Sequence, residues 1–167
     1  MKIFLIGMPG SGKSTIGRQV ADSLSLPFID LDQQIEQREG KSIPEIFSNQ
    51  GEDYFRERES AILRELSSND ESYVMATGGG APCFHSNIDV LNQNGLTVFL
   101  DVDVDILLDR VSHALNRPLL GDKSSQHARL QQLYESRREY YLKAKISLRN
   151  PDAGSVLQAI THSVSKK

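Results

Sequence analysis

Gly7-Met8-Pro9-Gly10-Ser11-Gly12-Lys13-Ser14 meets the spacing G-x-x-x-x-G-K-[ST] in full, and Thr15 follows it. That pattern wraps an anion. Glycines let the backbone curl and aim its N–H groups inward, where a Cβ would obstruct. The apolar run Ile3-Phe4-Leu5-Ile6 precedes it and a helical pattern follows, so a helix N-terminus adds partial positive charge at the same point. Gly10, Ser11, Gly12, Lys13, Ser14 and Thr15 are therefore expected to cradle the phosphates of a nucleotide. Lys13 would reach the β and γ phosphates, and the Ser14 hydroxyl would ligate Mg²⁺.

A phosphate loop alone leaves a kinase, a switch GTPase and an ATP-driven machine open. No Asn-Lys-x-Asp segment is present to read guanine, and the chain is short for a machine. A small-molecule kinase needs an acceptor site facing the γ-phosphate. Asp30 and Asp32, two apart at the end of an apolar run, would point the same way on an extended segment. One could hold Mg²⁺ through water while the other accepts a proton from a substrate hydroxyl; alternatively Asp32 caps the next helix. Thr77-Gly78-Gly79-Gly80 ends another apolar run. Three glycines there suggest backbone lying against a ligand, or a plain turn.

Arginines supply the anion-binding candidates. Leu130, Leu133, Tyr134 and then Arg137 follow the i, i+3, i+4, i+7 stripe of a helix, and Tyr141 comes next. An arginine on an apolar stripe needs an anion, either an internal carboxylate or a substrate. Arg56 lies in a charge-laced helical stretch and its pattern does not separate it from Arg58. Arg117 precedes Pro118 in an irregular stretch, where a closing loop could neutralise charge developing during transfer.

The elements that must position these groups alternate. Short apolar runs at 2–6, 27–30, 73–76, 96–101 and 145–148 alternate with helical patterns near 13–25, 31–39, 43–67, 86–94, 103–115, 126–143 and 153–165. That alternation predicts an α/β fold with a mainly parallel sheet covered on both faces. Residues 40–51 and 115–126 lack a strong period and read as mobile. No linker or repeat divides the 167 residues, so one domain is expected. With 38% hydrophobic and 25% charged residues, the composition is that of a folded globular chain. No apolar run is long enough for a membrane span or a signal-peptide core, and the single cysteine, Cys83, favours a reducing compartment; the expectation is cytoplasmic. Residues 1–109 carry a net charge of −10 and residues 110–167 one of +7, which sum to the overall −3. A basic third on an acidic body suits either a nucleic acid or clasped phosphates.

Taken together, these segments resemble the shikimate kinase family. The resemblance runs from the phosphate loop through Phe28-Ile29-Asp30-Leu31-Asp32, Gly51-Glu52 with Phe55-Arg56-Glu57, and Thr77-Gly78-Gly79-Gly80, to Arg117-Pro118-Leu119-Leu120 and Arg137 with Tyr141. It implies the three-layer P-loop kinase fold of the nucleoside-monophosphate-kinase type, with a five-stranded parallel sheet, a mobile substrate-binding segment about 31–60 and a lid about 112–126. It also implies Mg²⁺-dependent transfer of the ATP γ-phosphate to the 3-hydroxyl of shikimate, a step of chorismate and aromatic amino acid biosynthesis. Carried over, Lys13, Asp32 and Arg117 would be catalytic, Ser14 and Asp30 would attend the metal, and Arg149 would lie near adenine. Asp32, Arg56, Arg137 and the backbone of Gly78, Gly79 and Gly80 would hold shikimate.

Two other readings make different predictions. A kinase for another polyol acid such as gluconate would turn over that acid and not shikimate. A nucleotide-dependent nucleic-acid-binding protein would bind oligonucleotides with steep salt dependence. Arg117 and Arg137 are already assigned to small anions, which argues against a nucleic-acid partner; the expectation is a monomeric enzyme with a small-molecule substrate and no membrane partner.

Overall fold

Ile3, Phe4, Leu5 and Ile6 are all fully buried, because the strand they form, β1 (Lys2–Ile6), lies at the centre of the sheet. The computed structural model describes residues 1–114 and 123–165. The other strands are β2 (Phe28–Asp30), β3 (Tyr73–Ala76), β4 (Leu96–Asp101) and β5 (Ile146–Arg149). They run parallel in the order β2-β3-β1-β4-β5. Alternation along β1 sends Ile3 and Leu5 to one face and Phe4 and Ile6 to the other, and both faces are covered. A strand buried on both sides reads as an unbroken apolar run, which is how the sequence presents it.

One face is covered by α1 (Lys13–Leu24) and α7 (Ala153–Ser165), through Ile16, Val20, Val156 and Ile160. The other is covered by α3 (Ile43–Ser68), α4 (Asn87–Asn94) and α6 (Lys123–Tyr141), with Ile62, Leu63, Leu91 and Tyr141 in the core. Two further helices, α2 (Leu31–Glu39) and α5 (Val104–Ala114), follow the carboxyl ends of β2 and β4. Among the described residues no helix is long and apolar enough to cross a membrane.

The helical pattern expected at 43–67 is α3, which also takes in most of the stretch 40–51 that lacks a strong period. Ser42 and Glu45 form a reciprocal capping box that starts α3, and the chain breaks helical geometry only at Gly51, with φ +85°. Residues 123–126, also expected to be irregular, form the first turn of α6.

The turn after β3 is tied down from both sides. Ser60 of α3 donates to Asn87 Oδ1 at 2.7 Å, and Asn87 Nδ2 donates to the Ala81 carbonyl at 2.9 Å. Both side chains are buried. The triple glycine is thereby anchored between α3 and α4 instead of swinging free.

Candidate functional site

The carboxyl ends of β1, β2 and β3 open onto one cleft of about 330 Å³. Gly10, Gly12, Lys13, Ser14, Thr15, Asp30, Asp32 and Gly79 all line it, together with Pro9 and Thr77. Gly12 enters α1 with φ +92°, a left-handed conformation that a side chain would strain. The Lys13 ammonium is folded back, donating to the Gly7 carbonyl at 2.9 Å and the Met8 carbonyl at 2.8 Å. Burial lowers it to about 8; Asp32 and Asp30 pull it up and Arg137 pushes it down. Ser11 is buried beneath the loop. Arg110 of α5 donates to the Gly10 carbonyl at 3.2 Å, so α5 braces the loop from the far side.

The two aspartates converge for a reason other than strand alternation. Asp30 is extended, with φ −104° and ψ 116°, but helix α2 begins at Leu31 and Asp32 already lies in its first turn. Asp30, not Asp32, is the helix cap: its Oδ1 accepts from the Asp32 N–H at 3.1 Å. That leaves Asp30 Oδ2 to accept from the Ser14 hydroxyl at 2.8 Å. Asp32 is left free of capping duty and faces the cleft. Burial, then the neighbouring Asp30, raises its carboxyl above the ordinary aspartate range, against the pull of Lys13.

Ser14 and Asp30 offer a hydroxyl and a carboxylate side by side at the mouth of the phosphate loop, a set of hard oxygen donors that suits Mg²⁺. Among the described residues no group of three or more His, Cys, Asp or Glu could hold a metal. Mg²⁺ fits that arrangement, since it is commonly held by one or two carboxylates plus phosphates and water.

Beside the cleft, against the glycines that follow Thr77, lie side chains from distant segments. Arg56 is buried between two rings, with its guanidinium carbon 5.1 Å from the centroid of Phe55 and 4.3 Å from that of Phe84. Glu59 pairs with it at 2.8 Å, and Glu52 at 3.3 Å. Glu59 is 1% exposed, and burial pushes its carboxyl up while Arg56 draws it back. Its Oε1 would stand 2.8 Å from a Cβ on Gly78, and Asp32 Oδ1 would stand 2.9 Å away. A Cβ on Gly80 would meet both Arg56 terminal nitrogens at 2.7 Å. The triple glycine therefore lets Asp32, Glu59 and Arg56 approach its backbone closely. Arg137, half-buried on α6, closes this side, with Nη1 3.2 Å from the Cβ position of Gly79.

Arg56 thus sits inside, not on the charge-laced surface, and its internal partner Glu59 escaped the sequence reading. The signal was present: Phe55, Glu59, Ile62, Leu63 and Leu66 form one helical stripe, and a glutamate on it needs a cation. Phe84 had no such signal. Arg117 lies outside the described residues. Arg149 is not brought to the phosphate loop: its exposed side chain pairs with Asp103 and, at 3.9 Å, Asp101, in a separate cleft between β4, α5 and α6. Asp101 also accepts from the Tyr134 hydroxyl at 2.8 Å. Cys83 is half-buried, and burial pushes its thiol up to about 11, leaving it a packing group.

The sequence profile of the shikimate kinase family matches residues 9–166. The shikimate kinase of Aquifex aeolicus is 40% identical over 149 residues, 89% of this chain and 86% of that one. The crystal structure of shikimate kinase from Bacteroides thetaiotaomicron superposes with a TM-score of 0.90 at 35% identity, covering 99% of this chain and 98% of that one. Shikimate kinase from Acinetobacter baumannii, solved in complex with shikimate, superposes at 0.85 with 36% identity, over 99% of this chain and 93% of that one. Profile, relatives and superposition agree over nearly the whole sequence: the chain belongs to the shikimate kinase family.

Proposed function

We propose that this protein transfers the γ-phosphoryl group of ATP to the 3-hydroxyl of shikimate, giving shikimate 3-phosphate and ADP. The observation that carries the reading is the two-ended site. A phosphate loop with a buried lysine and a Ser14–Asp30 pair stands at one end. At its other side the turn after β3 carries Asp32 against Gly78, Arg137 against Gly79 and Arg56 against Gly80. Shikimate is a carboxylate with vicinal hydroxyls, and such a site holds a small acid by its charge while presenting one hydroxyl to the phosphate end.

In this reading Arg56 and Arg137 take the carboxylate, and the backbone of Gly78, Gly79 and Gly80 borders the ring. Asp32 holds the hydroxyls. As the acceptor oxygen forms its bond to the γ-phosphorus, the hydroxyl proton passes to the Asp32 carboxylate. The bond between the γ-phosphorus and the bridging oxygen breaks, and ADP leaves with that electron pair. The backbone N–H groups of Gly10 to Gly12, with Ser11 and Thr15, cradle the phosphates, and Lys13 leaves the loop carbonyls for the β and γ oxygens. Ser14 and Asp30 would hold Mg²⁺, which would supply positive charge to offset that of the phosphates. Arg117 would come over the phosphates from the lid, and Arg149 would flank the nucleoside. The enzyme in this reading is a cytoplasmic monomer.

ADP release measured with and without shikimate tests the proposal. Shikimate should raise turnover by orders of magnitude, and phosphorus NMR should show a 3-phosphate ester. Turnover driven by gluconate and not by shikimate would overturn it.

A further inference from the structure

Three parts of the cleft meet at one oxygen, the hydroxyl of Tyr141. The side chain is fully buried at the end of α6, and its ring stacks on Phe99 of β4 at 5.0 Å. The hydroxyl donates to the Gly79 carbonyl at 2.6 Å and stands 3.7 Å from the Met8 sulfur of the phosphate loop. Arg137, one turn earlier on the same helix, meets the same glycine, with Nη1 3.2 Å from the Cβ position of Gly79. A phenol gives one proton and accepts through its lone pairs, so donation to Gly79 leaves the oxygen able to receive Arg137. Burial pushes the phenol above its ordinary range, which keeps it a neutral donor at working pH.

Packing alone does not account for this group. A phenylalanine would fill the same space against Phe99 without the cost of burying a hydroxyl. What the hydroxyl adds is direction. The Gly79 carbonyl shares a peptide plane with the Gly80 N–H, so fixing one fixes where the other points.

We infer that the Tyr141 hydroxyl is a positioning group for the acceptor substrate, setting through one oxygen both the direction of the Arg137 guanidinium and the peptide plane between Gly79 and Gly80. It touches neither reacting atom. The inference rests on the reading that Arg137 and the triple-glycine turn hold shikimate.

Tyr141→Phe removes the oxygen and nothing else. The KM for shikimate should rise about threefold to tenfold, the size of one lost hydrogen bond. The KM for ATP should stay within about twofold, since the phosphate loop keeps its own contacts. Phe99→Leu removes the stack and keeps the hydroxyl; it should lower Tm and leave the shikimate KM in place. In an Arg137→Ala background, Tyr141→Phe should cost less than it does alone. If Arg137→Ala raises the shikimate KM and Tyr141→Phe does not, the inference fails while the assignment of Arg137 stands. If Tyr141→Phe raises both KM values equally, or its effect simply multiplies with that of Arg137→Ala, it also fails. An unchanged shikimate KM in Arg137→Ala overturns the inference together with the reading beneath it.

Discussion

On the proposed reading, the groups that meet the phosphates at one end of the site come mainly from one run of consecutive residues, Gly7 to Thr15, and most are backbone. At the acid end they come from α3, the turn after β3, and α6, and most are side chains. The first end is shaped by the chain's own turn and by the start of α1. The second depends on neighbours: Phe55, Phe84 and Glu59 hold Arg56, and α6 must dock for Arg137 to arrive at all. A local motif carries its geometry with it, whereas an assembled site inherits its geometry from the fold. Substitutions at the first end should therefore damage chemistry with little change in folding, and some at the second should damage both.

The largest effects belong where the two ends meet. Asp32→Asn keeps the shape of the side chain and removes the proton acceptor, so turnover should fall by about 10²–10⁴-fold. Nucleotide affinity, read by titration with a fluorescent ADP analogue, should survive, because Asp30 and not Asp32 pairs with Ser14. Near-normal turnover would remove Asp32 from the chemistry. Lys13→Ala should lose both turnover and nucleotide affinity, and the contrast between the two variants separates the ends.

Next come the two arginines. Arg56→Ala and Arg137→Ala should each raise the shikimate KM by about 10–100-fold, the worth of charge-assisted hydrogen bonds. They should differ in stability. Removing Arg56 leaves Glu59 buried at 1% exposure without its cation, a loss of about 3–5 kcal/mol for a broken buried pair. Arg137 is only half-buried, so its loss should cost far less in a urea melt. Equal melts for the two variants would show that the acid end does not depend on the Arg56–Glu59 pair.

How much was legible in the sequence follows the same division. The phosphate loop, the five strands and the sheet covered on both faces were readable, because each rests on spacing within a short window. The convergence of Asp30 and Asp32 was expected for the wrong reason: an extended segment was assumed, and α2 begins between them. Arg56 could be separated from Arg58 only by resemblance, since its burial is decided by Phe84, twenty-eight positions away. No pattern local to α3 encodes that contact. Glu59 was readable in principle from its stripe. The two basic and acidic halves of the chain now divide more finely, because Arg137 comes from the basic part and Asp30, Asp32 and Glu59 from the acidic one, and all four border the cleft region.

A smaller effect, in pH, sharpens the phosphate end. Burial lowers Lys13 from 10.5 to about 8 in the free protein. Between those values the unfolded chain binds more protons than the folded one, so this lysine's contribution is fully present above 10.5 and is lost as pH falls through 8. Stability of the ligand-free protein should rise with pH across that window. Polyphosphate favours the ammonium form, so nucleotide binding near pH 8 should draw in up to about half a proton. Calorimetry in two buffers of different ionisation enthalpy measures this, and no uptake at that pH would mean that Lys13 is already fully charged before the nucleotide arrives.

The smallest expected effect tests where the phosphate end stops. Arg149 leaves the end of β5 with 68% of its side chain exposed, paired with Asp103 in a cleft apart from the loop. Exposed pairs of this kind contribute about 0–1 kcal/mol. To flank a nucleoside, the guanidinium must exchange two aspartates for an aromatic base, and the two contacts are of similar worth. Arg149→Ala should accordingly change the ATP KM by less than about threefold and leave kcat unaltered. A tenfold rise in the ATP KM, with the shikimate KM unmoved, would mean that the nucleoside is also gripped by a side chain brought in from a distant strand. The division between a local, backbone-built end and an assembled, side-chain-built end would then hold for the phosphates alone, and not for the nucleotide as a whole.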